Sequence, residues 1–163
     1  MTPDIELALT ARAENIAIVR HALGALGDAF GVPDSKLSDI RLAVTEACAN
    51  VVVHAYPEGH EGPMEILASK DEDELTVLVR DWGRGVRPRP DSPGLGLGLS
   101  LIAALAESVQ LGHDPEKHTE VRMTFALSEP VASMSAVSSA SSAPSMITPP
   151  GASTMPGING QPS

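Results

Sequence analysis

The sequence predicts an α+β fold, a two-layer sandwich with helices on one face of a mostly antiparallel, mixed sheet. The first observation behind this is the order of segments: strand, helix, helix, strand, strand, helix, strand, strand. Strands that follow each other directly favour antiparallel pairing, whereas a doubly wound parallel sheet alternates strands with helices. The second observation is size, since 163 residues with 42% hydrophobic content suffice for one domain with its own core. The third is the presence of only one Trp, one Tyr and two Phe, which leaves a core of aliphatic side chains and Met.

The N-terminal segment predicts one strand followed by one helix. In "DIELAL", residues 4–9, the side chains of Ile5, Leu7 and Leu9 fall on one face of a strand. Residues 12–30 instead have apolar side chains at the three- and four-residue spacing of an amphipathic helix.

A second helix is predicted to start at the helix-breaking segment "GVPDS", residues 31–35. Asp34 or Ser35 is expected to cap it, because short oxygen-bearing side chains accept hydrogen bonds from the free N–H groups of a first turn. The helix is predicted to run to about Tyr56, where Pro57 and Gly59 end it.

The remaining elements follow from β-rich runs separated by turn residues. They are strands at 63–70 and 74–81 joined by the turn "DED", a glycine- and proline-rich loop at 83–98, a helix to about Glu107, and strands at 108–114 and 119–128.

The C-terminal stretch has a different composition. No charged residue follows Glu129, and small residues, Ser and Pro dominate without periodicity. Such a segment buries too little apolar surface to offset its ordering entropy. We therefore predict a folded domain at 1–129 and a disordered Ser/Ala/Pro/Gly-rich tail at 130–163.

Charge and cysteine content exclude several functions. The net charge of −10 argues against a nucleic-acid partner, which needs clustered Lys and Arg. Cys48 is the only cysteine, so no disulfide framework or thiolate metal site is expected. The N-terminus has no apolar signal core, and the longest apolar run, at 94–106, is too short to span a bilayer. A cytoplasmic protein without a membrane partner is expected.

The second helix carries polar residues at a regular spacing. In "EACANVVVHAY", Glu46, Asn50 and His54 stand four residues apart and share one helix face. A carboxylate, an amide and an imidazole on one face become informative only if the rest of the chain supplies a ligand for them.

Two glycine-rich stretches could supply that ligand site. "DWGRG" places Asp81 at a strand end, with Gly83 and Gly85 allowing a tight turn or close approach to a ligand. A carboxylate there can accept the exocyclic amino hydrogen of adenine and would repel the O6 acceptor of guanine. The same pattern alone is also typical of a strand-ending turn with a capping Asp.

The second stretch is "GLGLGLSLI", residues 94–102, which opens the third helix. Gly94, Gly96 and Gly98 leave backbone N–H groups unhindered at a helix N-terminus, where the dipole favours phosphates. Close helix packing would produce the same pattern. The stretch matches neither the dinucleotide fingerprint nor the P-loop.

Taken in this order, with a late "TEVRMTF" strand, these motifs resemble the ATP-binding domain of the GHKL superfamily, the Bergerat fold of gyrase-type and histidine-kinase ATPases. The motif "EACANVVVHAY" and the small size are most similar to the bacterial anti-sigma-factor serine/threonine kinases. The resemblance extends over residues 5–127.

The resemblance implies ATP and Mg²⁺ as cofactors. Asn50 would ligate Mg²⁺ and bridge it to the phosphates, and Glu46 would be the catalytic base that orients or deprotonates the attacking hydroxyl. Asp81 would read adenine in a pocket shaped by Gly83 and Gly85.

The other expected contacts come from the third helix and the last strand. Gly94, Gly96 and Gly98 would bring N–H groups to the phosphates, and Thr119 would close the adenine pocket. The chain departs from the family pattern at His118, which replaces the usual Gly before that Thr, and in a short, proline-rich lid at 86–93.

The resemblance implies a kinase that phosphorylates a Ser or Thr of an anti-anti-sigma antagonist, with sequestration of a sigma factor and a homodimer as further options. Two alternatives remain open. A histidine-kinase catalytic domain would need a phosphoacceptor His, and His21 in "VRHALGAL" lacks the usual flanking Glu and Pro. A catalytically silent module could instead switch partners according to its bound nucleotide, although the presence of Glu46 favours an enzyme.

Overall fold

The sheet holds five strands in the order β1-β2-β3-β5-β4 within the part of the chain that the computed structural model describes, residues 2–84, 95–114 and 118–128. The predicted order of elements is confirmed. The elements are β1 (Ile5–Thr10), α1 (Ala13–Phe30), α2 (Asp34–Asn50), β2 (Pro63–Asp71), β3 (Glu74–Asp81), α3 (Leu95–Leu105), β4 (Ser108–Asp114) and β5 (His118–Ala126).

Every pairing of these five strands is antiparallel. The sequence predicted a mostly antiparallel but mixed sheet, so the mixed character is not found among the described strands. The reason is local: β2 turns directly into β3 through Glu72, which has a φ of 48°, and β5 folds back between β3 and β4.

The two faces of the sheet differ in chemistry because side chains alternate along each strand. Ile66, Val79 and Val121 stand in one row across β2, β3 and β5 and are buried in the core. On the opposite face, Arg80 forms ion pairs with its cross-strand neighbours, at 2.7 Å to Glu120 and 3.3 Å to Glu65. The helices therefore cover only the apolar face. Core residues from α1 and α2 include Val19, Leu23, Ile40, Val44 and Cys48.

The start of α2 differs from the prediction. Asp34 is the first helical residue rather than the cap, and Pro33 takes the N-cap position without a side-chain hydrogen bond. The fixed φ of proline suits this entry, and Gly31, with a φ of 65°, has already turned the chain out of α1.

The helix does not end with α2 but continues as a wider helical turn. Val51–Ala55 form a π-helical segment that continues α2, and Tyr56 then adopts an extended conformation. The prediction that the helix runs to about Tyr56 is confirmed in length. The change of helix type is an addition, and π-helical turns recur next to functional sites.

The third helix begins within the glycine-rich stretch. Residues 95–98 belong to α3, so the loop predicted to continue through 98 is wrong for these four positions. Leu and small residues there tolerate a helical turn, and packing against α2 overrides the low helix propensity of glycine. None of the described helices is both long and apolar enough to cross a membrane. The predicted tail at 130–163 lies outside the described residues.

Candidate functional site

The polar face of α2 meets the first turn of α3 at Gly98. A side-chain carbon placed on Gly98 would overlap the Glu46 Oε1 atom and would lie 3.2 Å from the Asn50 amide nitrogen. With glycine at this position, the Glu46 carboxylate can lie directly against the backbone of α3. The structure thus brings together three residues that the sequence predicted for one site.

Glu46 and Asn50 are half-buried, and neither has a hydrogen-bond partner among the residues described. Polar groups that fold into a partly buried position usually find partners, because desolvation without a hydrogen bond is costly. This pair therefore has acceptor and donor capacity left for a ligand. Carboxylate and amide oxygens are also ligands that Mg²⁺ prefers.

Asp81 lies at the end of β3 and faces the same layer as the core. It is 6% exposed, and its register partners are Met64 on β2 and Thr119 on β5. The carboxylate accepts a hydrogen bond of 2.9 Å from the Gly83 N–H. This bond fits the turn interpretation of the motif, and the second carboxylate oxygen remains an acceptor for a ligand.

The glycine of this turn has a packing reason that the sequence did not reveal. A side-chain carbon on Gly83 would overlap the Ala55 carbonyl and would lie 2.9 Å from the Ala55 Cβ. The Arg84 N–H donates a hydrogen bond of 2.8 Å to the same carbonyl. Gly83 therefore lets the turn dock on the end of the π-helical segment, and with it on α2.

Thr119 and two histidines complete the surroundings of Asp81. Thr119 is 3% exposed, and its hydroxyl lies 3.2 Å from the His113 Nδ1 atom. The ring centroids of His118 and Trp82 are 6.3 Å apart. The non-glycine residue before Thr119 thus contributes an aromatic ring beside the tryptophan that follows Asp81.

Burial raises the pKa of Asp81 above the ordinary range for a carboxyl. The hydrogen bond from Gly83 opposes this rise, and so do the charges of His113 and His118 when protonated. Burial therefore disfavours the ionised form of Asp81, and a hydrogen bond donated by a ligand would stabilise that form.

The remaining predicted residues are distributed as follows. Gly96 lies in the first turn of α3. Gly85, Gly94 and the lid at 86–93 lie outside the described residues. The last polar residue of the motif helix, His54, is exposed and makes no hydrogen bond within the described residues.

Sequence reasoning missed Tyr56 as part of this region. Its hydroxyl accepts a hydrogen bond of 3.1 Å from the Trp82 N–H. The sequence signals were its place at the end of the motif "EACANVVVHAY" and its position directly before Pro57 at the expected helix end. Periodicity reports only local structure, so it could not predict a contact between Tyr56 and Trp82, which lie 26 residues apart.

Comparison with known proteins identifies relatives of nearly the whole described region. Residues 9–125 match the family described as the histidine kinase-like ATPase domain. A serine-protein kinase RsbW of Bacillus cereus is 34% identical over 125 residues, which cover 68% of this chain and 78% of the relative. The serine-protein kinase RsbW of Halalkalibacterium halodurans is 33% identical, with 68% and 76% covered.

Solved structures show the same fold. The RsbU and RsbW domains of a Mycobacterium tuberculosis protein match 79% of this chain with a TM-score of 0.62 and 24% identity, and this chain spans 33% of that longer one. The histidine kinase domain of a blue-light activated kinase from Erythrobacter litoralis matches 71% of this chain and 60% of its own, with a TM-score of 0.50 and 20% identity.

Proposed function

The chain belongs to the histidine kinase-like ATPase domain family, and on that premise we propose that it is an ATP-dependent serine/threonine protein kinase of the anti-sigma-factor type. The observation that carries the proposal is the cluster of Glu46, Asn50 and Gly98 where α2 meets the start of α3. Its relatives named serine-protein kinase RsbW support the same activity.

The base end of the nucleotide site is assigned to Asp81 and Thr119. The fit is supported by the burial of Asp81, whose carboxylate makes one hydrogen bond, through one oxygen, to the residues that the structure describes. An adenine amino group can donate to the other oxygen, whereas guanine presents an acceptor at the equivalent position. ATP is therefore the preferred substrate over GTP.

The phosphate end is assigned to the start of α3 and to Asn50. The N-terminus of a helix favours anions because its first N–H groups have no partner within the helix. Asn50 would hold Mg²⁺ through its amide oxygen together with the phosphates, as is common for this ion. Bound Mg²⁺ would neutralise phosphate charge during transfer.

Glu46 is assigned the role of catalytic base. It stands one helical turn before Asn50, so a hydroxyl that approaches the phosphate end meets its carboxylate. Accepting or orienting the hydroxyl proton is the task that phosphoryl transfer leaves to the protein, because the rest is positioning and charge stabilisation.

The substrate is proposed to be an anti-anti-sigma protein with a Ser or Thr acceptor, and a sigma factor is a second partner. We assign the contact with the partner to a groove of about 580 Å³ on α1 and α2, in which two arginines could pair with acidic groups of a partner segment. It is lined by Arg20, His21 and Arg41, with Asp28 as the acidic residue. Gly24 leaves room for the Arg41 guanidinium, which a side-chain carbon there would overlap.

The test combines binding and transfer in one set of proteins. Wild type, Glu46→Gln and Arg20→Ala are titrated with Mg-ATP and then assayed with radiolabelled ATP and a purified antagonist. We expect transfer by wild type, ATP binding without transfer by Glu46→Gln, and normal ATP binding with a weaker antagonist interaction by Arg20→Ala. ATP binding without any transfer by wild type would instead favour the silent switch module, and transfer to a histidine would favour the histidine-kinase alternative.

A further inference from the structure

Tyr56 connects three elements through one hydroxyl group. It stands directly after the π-helical segment, and its hydroxyl donates a hydrogen bond of 2.6 Å to the Pro63 carbonyl at the start of β2. The same oxygen accepts the bond from the Trp82 N–H. Trp82 follows Asp81, so the bond lies one residue from the proposed adenine-reading carboxylate.

The ring of Tyr56 lies close against Gly62. A side-chain carbon on Gly62 would overlap the ring and would lie 2.7 Å from its Cδ1 atom. Gly62 is itself fixed, because its carbonyl accepts a hydrogen bond of 2.8 Å from the Ala11 N–H. The ring therefore packs on a backbone segment that is itself hydrogen-bonded to the residue after β1.

A second connection runs in parallel through the preceding residue. The Ala55 carbonyl accepts the Arg84 N–H, and Gly83 packs on Ala55. Together, Ala55 and Tyr56 fix the backbone on the C-terminal side of Asp81 to the end of the helix that carries Asn50. The base end and the phosphate end of the site are thus connected by the segment 50–56 and by two hydrogen bonds, from the Trp82 N–H to Tyr56 and from the Arg84 N–H to Ala55.

From this geometry we propose that Tyr56 is a positioning residue that sets the preference of the site for ATP over GTP. The inference rests on the proposed function, because it assumes that Asp81 reads the base. Loss of the Tyr56 hydroxyl frees the Trp82 N–H and lets the Asp81 carboxylate shift. Such a shift weakens the bond to the adenine amino group and leaves GTP, which does not use that bond, nearly unaffected.

The hydroxyl stays protonated at ordinary pH, as a donor must. Burial raises the pKa of Tyr56, the Trp82 N–H lowers it, and the nearby charge of Asp81 raises it further. The bond to the Pro63 carbonyl is therefore retained throughout the range in which a kinase assay is run.

The experiment uses full-length Tyr56→Phe, which keeps the ring and removes only the hydroxyl. We expect ATP affinity to fall about 2- to 10-fold, the loss typical of one neutral hydrogen bond, with GTP affinity unchanged within about twofold. In the transfer assay, KM for ATP rises while kcat at saturating ATP stays near the wild-type value. Amide hydrogen exchange at Trp82, followed by NMR, becomes faster.

Two further variants separate positioning from stability. Gly62→Ala displaces the ring from outside the site and should reproduce the loss of ATP preference. Ser38→Ala removes another hydroxyl, one that donates to the Asp34 carbonyl at the far end of α2, and should leave both nucleotide affinities unchanged.

An unchanged ratio of ATP to GTP affinity in Tyr56→Phe would overturn the proposal, even if the melting temperature fell, because the role would then be purely structural. If wild type itself bound ATP and GTP equally, the assignment of Asp81 would fail and this inference with it. Wild type that selects ATP, with Tyr56→Phe equally selective, removes Tyr56 alone.

Discussion

The two ends of the proposed nucleotide site differ in how far the protein has satisfied its own polar groups. At the base end, Asp81 accepts a bond from Gly83, Thr119 lies beside His113, and Tyr56 fixes the Trp82 N–H. At the phosphate end, neither Glu46 nor Asn50 has a partner among the residues described. The protein has thus prepared the end that selects the base, whereas the end that reacts has polar groups available to the substrate. This difference suits catalysis, because only interactions that are stronger in the transition state than in the bound ground state accelerate the chemical step.

The largest effect should come from the reacting end. Glu46→Gln keeps the size of the side chain and removes the base, so transfer should fall on the order of 10²–10⁴-fold while ATP affinity changes little. Glu14→Gln, the same change in the first turn of α1, is the matched control. Wild-type transfer by Glu46→Gln would remove this residue from the mechanism and erase the contrast between the two ends.

The next effect concerns the contact between α2 and α3. Gly98→Ala forces the Glu46 carboxylate away or separates the helices, and such overpacking costs ~1–3 kcal/mol of folding stability. If the displaced phosphate end transmitted the whole of that cost to the ligand, ATP affinity would fall roughly 5- to 150-fold. Isothermal titration with Mg-ATP measures the loss. Gly112→Ala on β4 is the control, because a side-chain carbon there meets only the ordinary 3.7 Å contact with Glu120. Equal ATP affinity in both variants would show that the helix contact does not shape the phosphate end.

At Asp81 we expect a comparable loss of ATP binding together with an opposite, stabilising effect on the protein without ligand. Asp81→Asn should weaken ATP binding by ~1–3 kcal/mol and reduce the preference over GTP. The same change should stabilise the protein without ligand at neutral pH, raising the melting temperature by on the order of a few degrees. Asp73→Asn, in the exposed turn between β2 and β3, is the control.

The sign of that stability change follows from the raised pKa. The folded-state pKa of Asp81 lies above its unfolded value because of burial, so ionisation in the folded state is penalised. The penalty is absent below the unfolded pKa and complete above the folded one, and the free energy of unfolding therefore decreases as pH rises through that window. Asp81→Asn should lack this component. A less stable Asp81→Asn protein at neutral pH would mean that the bond to Gly83 outweighs the burial.

The last effect concerns thiol reactivity rather than ATP binding or transfer, and it is expected behind the phosphate end, on the buried face of α2. Cys48 is fully buried, and burial raises its pKa to about 12. Alkylation at pH 8 should be at least about 100-fold slower in the native chain than in urea, because the thiolate is the reactive form. Mg-ATP should slow it further by stabilising the folded state. Rapid labelling of the native chain would show that α2 opens locally.

The sequence predicted the elements and the candidate residues where apolar side chains recur periodically or where Gly and Pro mark the end of an element. Glu46 and Asn50 share a face because helical spacing requires it, and Asp81 ends a strand because a β-rich run stops at "WGRG". The family predicted from these motifs is confirmed by the relatives. The assigned roles, the tail and the partners stay predictions.

The missed features depend on contacts between distant segments. Gly83 was read as a ligand-shaping glycine, but its nearest neighbour is the carbonyl of Ala55. Gly98 was read as an N–H donor, and the structure adds that it clears space for Glu46. The cap of α2 failed for a smaller reason, because Pro33 took the position that a polar side chain was expected to occupy.

The place of β5 between β3 and β4 has a consequence for the order of assembly. Asp81 and Thr119 are paired across β3 and β5, so the base end exists only after the last strand has folded back past β4. Non-local pairings of this kind make folding slow, because the chain must close a long loop before the contacts form. We therefore expect that nucleotide in a refolding mixture binds only after β5 has paired with β3. It should slow the unfolding of folded molecules and leave the folding rate unchanged.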